Sequence, residues 1–533
     1  VKAKPKPKVK MVCRRVKIKG TRRYRKVCKP AKKKKKKVVT KKPVTTVPKP
    51  VAGAPTPTPS AASPPVTTPP GPGPAPPQDP PPADDPLVYS GTFGVREAQR
   101  LLWRAGFGPK PGEAAALSAM GLQAAVRSLT RPTGTATLVG APVTLPNNTP
   151  FAPRDAWGHD HLWWLDRMVR SDQPLVERMT LILHDWFATS NADVNSHALM
   201  LDQNEVLRTH ALGSFTDLVR DLTVDPAMLV FLSGIYNRRN AINENYGREL
   251  MELFTLGADR GAYTETDVRE LARALSGWTA DWQDDVGYVN FRFLSTRADA
   301  GTKSLWAGTP YARSGAFDYR DVTSLVLDNP WHRSFFVLKL WSYFVPSPPS
   351  AATQAALEAL YESSGRSIRQ VVEAILMHPD VYLGAPLVKP PAVFNAGLLR
   401  ATGQTIDSEA WVWLGDESGQ QLFYPPNVSG WNDRAWLDTS RLYGRWYLAN
   451  QVLTPAERTA AHYSGSTETG AEALAAAIAH VGSPALSPGT LAVLQAFADQ
   501  PAPLGETNAA GYRALRQNAL RILVATCPDF EVC

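Results

Sequence analysis

The run INENYGRELMELFTLG at residues 242–257 is the densest collection of reactive side chains in the chain. At 3.6 residues per turn, Tyr246, Leu250, Leu253 and Phe254 share an apolar face, while Asn245, Glu249 and Glu252 line its flank. Glu244 and Arg248 stand one turn apart and can pair, as can Arg248 and Glu252. Carboxylates beside a core face stay charged only when they are paired or hydrogen-bonded. Two chemistries are open. Glu244 and Glu249 form an acid/base or metal-assisted catalytic centre, or the Glu/Arg/Asn set is an internal polar network that fixes how helices meet.

A second cluster, HDWFATSNADVNSH at 184–197, follows the apolar Met179, Ile182 and Leu183, which places His184 at the end of a buried or half-buried helix. His184 is the candidate catalytic partner of the two glutamates; the alternative is a helix-end histidine that caps a carbonyl. His159, Asp160, His161, Asn204, Glu205 and His210 add donor types that suit a divalent metal. None of them makes a His-Glu-x-x-His spacing, and Glu205 and His210 would point about 140° apart on a helix. A metal site would need tertiary convergence, and no other cofactor is indicated. The Gly-x-Ser-x-Gly, Gly-x-Gly-x-x-Gly and phosphate-loop motifs are absent, which argues against a serine hydrolase, a nicotinamide oxidoreductase and an ATPase.

The third cluster, LFYPPNVSGWNDRAWLDTSRLYGRWYLAN at 422–450, mixes flat aromatics with planar polar groups. Such surfaces suit sugars or peptides, because the rings offer large amphipathic contact area. Tyr424, Asn427, Trp431 and Trp436, with Arg248 from the first cluster, are the candidate binding residues. The same rings could equally fasten the loop to a core.

The elements that must position these groups are helical. Apolar spacing predicts helices over 96–105, 112–129, 157–168, 175–187, 205–212, 215–221, 243–255, 265–275, 331–344, 352–361, 368–377 and 393–401. Pro174 sits at a favourable first position, and Thr264 with Asp267 reads as a capping box. A short strand is expected at 288–293, within a Trp- and Gly-rich insertion. The fold class is mainly α: a large multi-helix domain with irregular aromatic-rich loops and minor β, preceded by a basic tail and a proline-rich linker. The boundaries are a tail over 1–42, a linker over 43–87, a helical core over 88–450 and a C-terminal helical extension of that core over 451–533.

Charge separates tail from body. The 533 residues hold 59 Lys/Arg and 48 Asp/Glu, and 23 of the Lys/Arg lie in residues 1–50, where no Asp or Glu occurs. The body is therefore acidic, and the overall basic balance does not indicate a nucleic-acid enzyme. The run Lys32 to Lys37 repels itself and attracts polyanions. Anionic envelope polymers or lipid headgroups are the expected partners of the tail. No element able to read a nucleic-acid sequence accompanies the lysines. Residues 43–85 are Pro, Thr, Ala and Gly with few bulky apolar side chains, a semi-rigid spacer. Four cysteines form two close pairs without metal-site spacing, so disulfides Cys13–Cys28 and Cys527–Cys533 are expected, the first stapling a two-stranded hairpin. An oxidising compartment follows, extracellular or in the cell envelope, reached after removal of a leader that preceded Val1. No run of 18 apolar residues could span a membrane.

Several stretches resemble the DUF1800 family, bacterial proteins of uncharacterised function that are often exported. They are LLWRAGFG at 101–108, HDWFATS at 184–190, NENYGRELMELFTLG at 243–257, YTETDVRELARALSGW at 263–278, Lys389-Pro390-Pro391 and LFYPPNVSGW at 422–431. The resemblance covers about 93–450. It implies a helical fold, an envelope or extracellular role and an exported DUF1501-family protein as a partner, and it supplies no reaction. Where relatives carry a His-Asp pair after a Phe-x-Phe strand, this chain has Phe291-Arg292-Phe293 and then Ala298-Asp299, which weakens an enzymatic assignment. The expected function is an envelope-associated scaffold or binding protein; the alternative is an acid/base or metal-assisted hydrolase of an envelope polymer.

Overall fold

The structure is a computed structural model and describes residues 11–17, 24–30, 87–501 and 508–533. The chain divides into two units, Val1–Gln78 and Asp79–Cys533. In the first, strands Met11–Lys17 and Tyr24–Pro30 pair antiparallel with Cys13 opposite Cys28, the hairpin expected from sequence. The side chains that would form the Cys13–Cys28 bridge, the lysine run and the proline-rich spacer lie outside the described residues.

The second unit is mainly helical, with two small antiparallel pairs: Trp278–Gln283 with Gly287–Phe293, and Lys303–Leu305 with Arg313–Gly315. No helix among the described residues is long and apolar enough to cross a membrane. Two apolar clusters organise the helices. The first gathers Leu183, Trp186, Phe215, Tyr246, Phe254, Leu271, Phe336 and Ile375. The second gathers Trp164, Phe394, Trp411, Phe423, Trp431, Leu448 and Phe530, so the segment beyond residue 450 shares a core with the preceding helices.

The helix Pro174–Trp186 serves both clusters. Met179, Leu183 and Trp186 enter the first and Leu181 enters the second. Pro174 occupies its first turn, where the missing amide hydrogen costs no bond.

Several helices differ from their periodic outlines. The one expected over 112–129 is two, Glu113–Met120 and Leu122–Thr130, separated at Gly121. The one expected from 205 begins at His197, where Ser196 accepts the Leu199 N–H. The run 243–255 is α-helical over Asn245–Glu249 and then widens to a π-helix over Leu250–Thr255, with Leu256 N–H bonded to the Met251 carbonyl at 2.8 Å. Two partners from distant helices favour the wider turn. Trp186 Nε1 donates to the Phe254 carbonyl at 3.2 Å, and His332 Nδ1 lies 2.9 Å from the Thr255 carbonyl.

The expected Cys527–Cys533 disulfide is not formed: both thiols are free. Cys527 follows the helix Ala509–Ala525 and donates its thiol to the Val524 carbonyl at 3.2 Å. Cys533 lies in an extended segment that exchanges backbone bonds with Leu387 at 2.8 and 2.9 Å. The helical turn Pro528–Glu531 stands between the two.

Candidate functional site

His184 is buried among rings. Its imidazole centroid lies 5.5 Å from Trp164, 5.8 Å from Phe423 and 5.5 Å from Trp431, and neither ring nitrogen has a hydrogen-bond partner among the described residues. Burial pushes its pKa down to about 3, so the ring is neutral. The next residue ties the helix end to the aromatic loop. Asp185 accepts from Trp431 N–H at 2.8 Å and from the Tyr343 hydroxyl at 2.7 Å. Burial raises the Asp185 carboxyl, an effect these donors oppose. Gly430 makes this approach possible: its φ is +88°, and a Cβ there would lie 2.3 Å from an Asp185 carboxylate oxygen.

The expected binding residues of the loop therefore divide. Trp431 is buried against His184, and Tyr424 is half-buried with its hydroxyl accepting from Asn191 at 3.1 Å. Trp436 is half-buried, and its indole N–H is enclosed. Asn427 is exposed, but its side-chain oxygen is occupied by the Ser429 N–H at 2.8 Å. Fastening the loop accounts for Tyr424 and Trp431.

Glu244, Arg248 and Glu249 stand apart from His184; no contact joins them to it among the described residues. Arg248 faces Glu265 in a two-pronged pair at 2.7 and 2.5 Å, with Glu244 farther off at 3.6 Å. The expected Glu244–Arg248 pair is present. Arg248 bonds the more distant Glu265 in place of Glu252. Glu249 is half-buried and carries no hydrogen bond or ion pair among the described residues. Burial and then the charge of Glu252 push its carboxyl up. Glu252 also neighbours Tyr263, whose phenol is raised to about 12, first by burial and then by that carboxylate. Among the described residues no hydrogen bond or ion pair closes a network around Glu249 or links this helix to His184.

The other candidate ligands are spent in separate pairs. Asp160 bonds His197 Nδ1 at 2.9 Å, His210 bonds Asp221 at 2.8 Å, and Arg208 gathers Glu177, Asn204 and Glu205. His161 accepts from Leu422 N–H at 3.1 Å, and burial lowers it to about 4. Among the described residues no group of three or more His, Cys, Asp or Glu could hold a metal ion.

The exposed part of the third aromatic cluster lies on the helix Thr439–Leu453, whose rings are not among the candidate binding residues. Tyr443, Trp446 and Tyr447 are 69%, 54% and 44% exposed, and Trp413 of the helix Ala410–Glu417 joins them at 44%. The Trp413 and Tyr447 rings lie 5.7 Å apart at 33°. The opposite face of the helix decides this orientation. Gly444 packs on the backbone of Glu417 so closely that a Cβ would lie 2.4 Å from its carbonyl oxygen. Arg445 is buried and bonds Glu531 at 2.6 Å and the Lys389 carbonyl at 2.9 Å. With Gly444, Arg445, Leu448 and Ala449 inward, the aromatic stripe must face water.

A family model described as a protein of unknown function, DUF1800, matches residues 100–532, and so continues through the segment beyond residue 450. No curated protein and no solved structure matches the chain.

Proposed function

The chain belongs to the DUF1800 family, and from that premise we propose that it is an exported, envelope-associated binding protein that holds a surface polymer through an aromatic face. The exposed cluster Trp413, Tyr443, Trp446 and Tyr447 carries this reading. Four large rings left in water on two packed helices form an amphipathic platform of the kind on which sugar rings stack. Neighbouring Asp416, Glu417 and Asn450 are exposed and can bond hydroxyl groups at its edge. The basic tail would supply a separate electrostatic hold on anionic envelope polymers or lipid headgroups.

The test is co-sedimentation of the full chain with insoluble cell-wall polysaccharide at high salt, where the lysine contribution is screened. The double variant W446A/Y447A should lose most of the retention while keeping its melting temperature. Undiminished retention would remove the aromatic face from the proposal.

A second reading, hydrolysis of the same polymer, draws on Glu249. Its carboxyl is raised by burial and by the neighbouring Glu252, and it has no hydrogen bond or ion pair among the described residues, a combination suited to a general acid. Release of soluble sugar from wall polysaccharide by the parent chain, lost in Glu249→Gln, would favour it over binding alone.

A further inference from the structure

The strand pair Lys303–Leu305 and Arg313–Gly315 encloses a loop that leans on the start of the helix Glu265–Ala274. Asp267 fixes the junction. One oxygen of its buried carboxylate accepts from Thr264 N–H at 2.8 Å and Thr264 Oγ1 at 2.7 Å, and the other accepts from the backbone N–H of Trp306. Trp306 is held there in a left-handed conformation, φ +53°, and Thr309 Oγ1 donates to its carbonyl at 2.8 Å. Asp267 also lines the cleft beside this loop, and both of its carboxylate oxygens take part in this anchoring.

Between the helix start and the loop lies a cleft of about 260 Å³. Pockets for drug-sized ligands run to roughly 300–1,000 Å³, so this space suits a smaller molecule. Tyr263, Trp306 and Tyr311 give it aromatic walls, with the Trp306 and Tyr311 ring centroids 6.2 Å apart. Thr266, Ser304 and Thr309 add hydroxyl groups. Trp306 is 3% exposed, and its indole N–H is enclosed without an acceptor among the described residues. No Lys or Arg lines the cleft, and Glu252 stands beside Tyr263 at its edge, so an anionic ligand would be disfavoured.

We propose that this cleft binds one uncharged, hydroxyl-bearing sugar unit, stacked against Tyr311 and bonded by the Thr266, Ser304 and Thr309 hydroxyls. The site is separate from the aromatic face of Thr439–Leu453 and does not depend on that reading.

The full chain should be titrated by calorimetry with glucose, N-acetylglucosamine and their β-1,4-linked disaccharides, with glucose 6-phosphate as the anionic control. At least one neutral sugar should bind saturably with Kd on the order of 1 mM, and the phosphorylated sugar should bind more weakly. Tyr311→Ala and Thr309→Val should each weaken binding about tenfold, with melting temperatures near the parent. The W446A/Y447A chain, which removes the aromatic face as a second sugar site, should still bind saturably. Absence of saturable binding by every neutral sugar, tighter binding of the phosphorylated one, or full affinity in folded Tyr311→Ala and Thr309→Val would overturn the proposal.

Discussion

Trp186 Nε1 donates to the carbonyl of Phe254 at 3.2 Å, across the first apolar cluster. That carbonyl lies inside the π-helix Leu250–Thr255, where the wider spacing leaves backbone acceptors for side chains. Trp186→Phe keeps an aromatic ring and removes the donor. It should cost about 1–3 kcal/mol, because a buried acceptor is left unpaired. Urea unfolding followed by circular dichroism measures the loss; an unchanged midpoint would show that the π-turn is held without Trp186.

Glu249→Gln separates a salt-bridge network from a poised acid. The folded-state carboxyl is raised by burial and by Glu252, so the folded chain holds this proton more tightly than the unfolded chain does. Its stabilising contribution is present below the unfolded carboxylate range and is lost as pH rises through the folded pKa. At neutral pH the amide should therefore match or slightly exceed the parent in stability, by less than about 1 kcal/mol given the partial exposure. Denaturation at pH 7 and pH 4 tests the sign. A loss of about 3–5 kcal/mol at pH 7 would instead mark a buried ion-pair partner.

The regular elements were legible where one apolar stripe sufficed. The helix Ile368–Met377, the strand within Gly287–Phe293 and the Thr264–Asp267 cap follow from local patterns, as does the mainly α class. The π-turn was not legible, because its carbonyl partners Trp186 and His332 come from distant parts of the chain. Periodicity also shows that Tyr443, Trp446 and Tyr447 share a stripe without showing which stripe faces water. The buried Arg445–Glu531 pair, 86 residues apart, decides that. His184 and Glu249 both follow apolar runs. The His184 ring packs with Trp164, Phe423 and Trp431 of the second cluster, whereas the residues around Glu249 enter the first. Sequence spacing could not reveal that division.

Gly430→Ala probes the fastening of the loop to the helix Pro174–Trp186. A side chain there meets both a φ of +88° and the Asp185 carboxylate, so the backbone must shift or the Trp431 N–H bond must break. The expected cost is at least about 1–3 kcal/mol. Thermal melting gives the loss, and a red shift in tryptophan emission should accompany it as Trp431 gains water. A variant as stable as the parent would show that the loop does not need this contact.

His184→Leu tests whether the ring-lined histidine is structural or reserved for a ligand. In the folded chain His184 is neutral, lowered to about 3 by burial, against 6.5 for an ordinary histidine. The unfolded chain therefore takes up a proton between those values that the folded chain refuses, and stability must fall as pH drops from 6.5 toward 3. His161 and His332, lowered to about 4 and about 3, add to the same acid lability. Leucine removes one of these three contributions and two unpaired buried nitrogens, while keeping an apolar group against Trp164, Phe423 and Trp431. Stability should rise by about 1–2 kcal/mol at pH 7 and by more at pH 4, read from denaturant midpoints at the two pH values. The larger gain at low pH distinguishes lost proton uptake from a simple packing effect. A variant less stable than the parent at both pH values would mean that the imidazole makes an interaction worth keeping, and the apolar-packing account of His184 would fail.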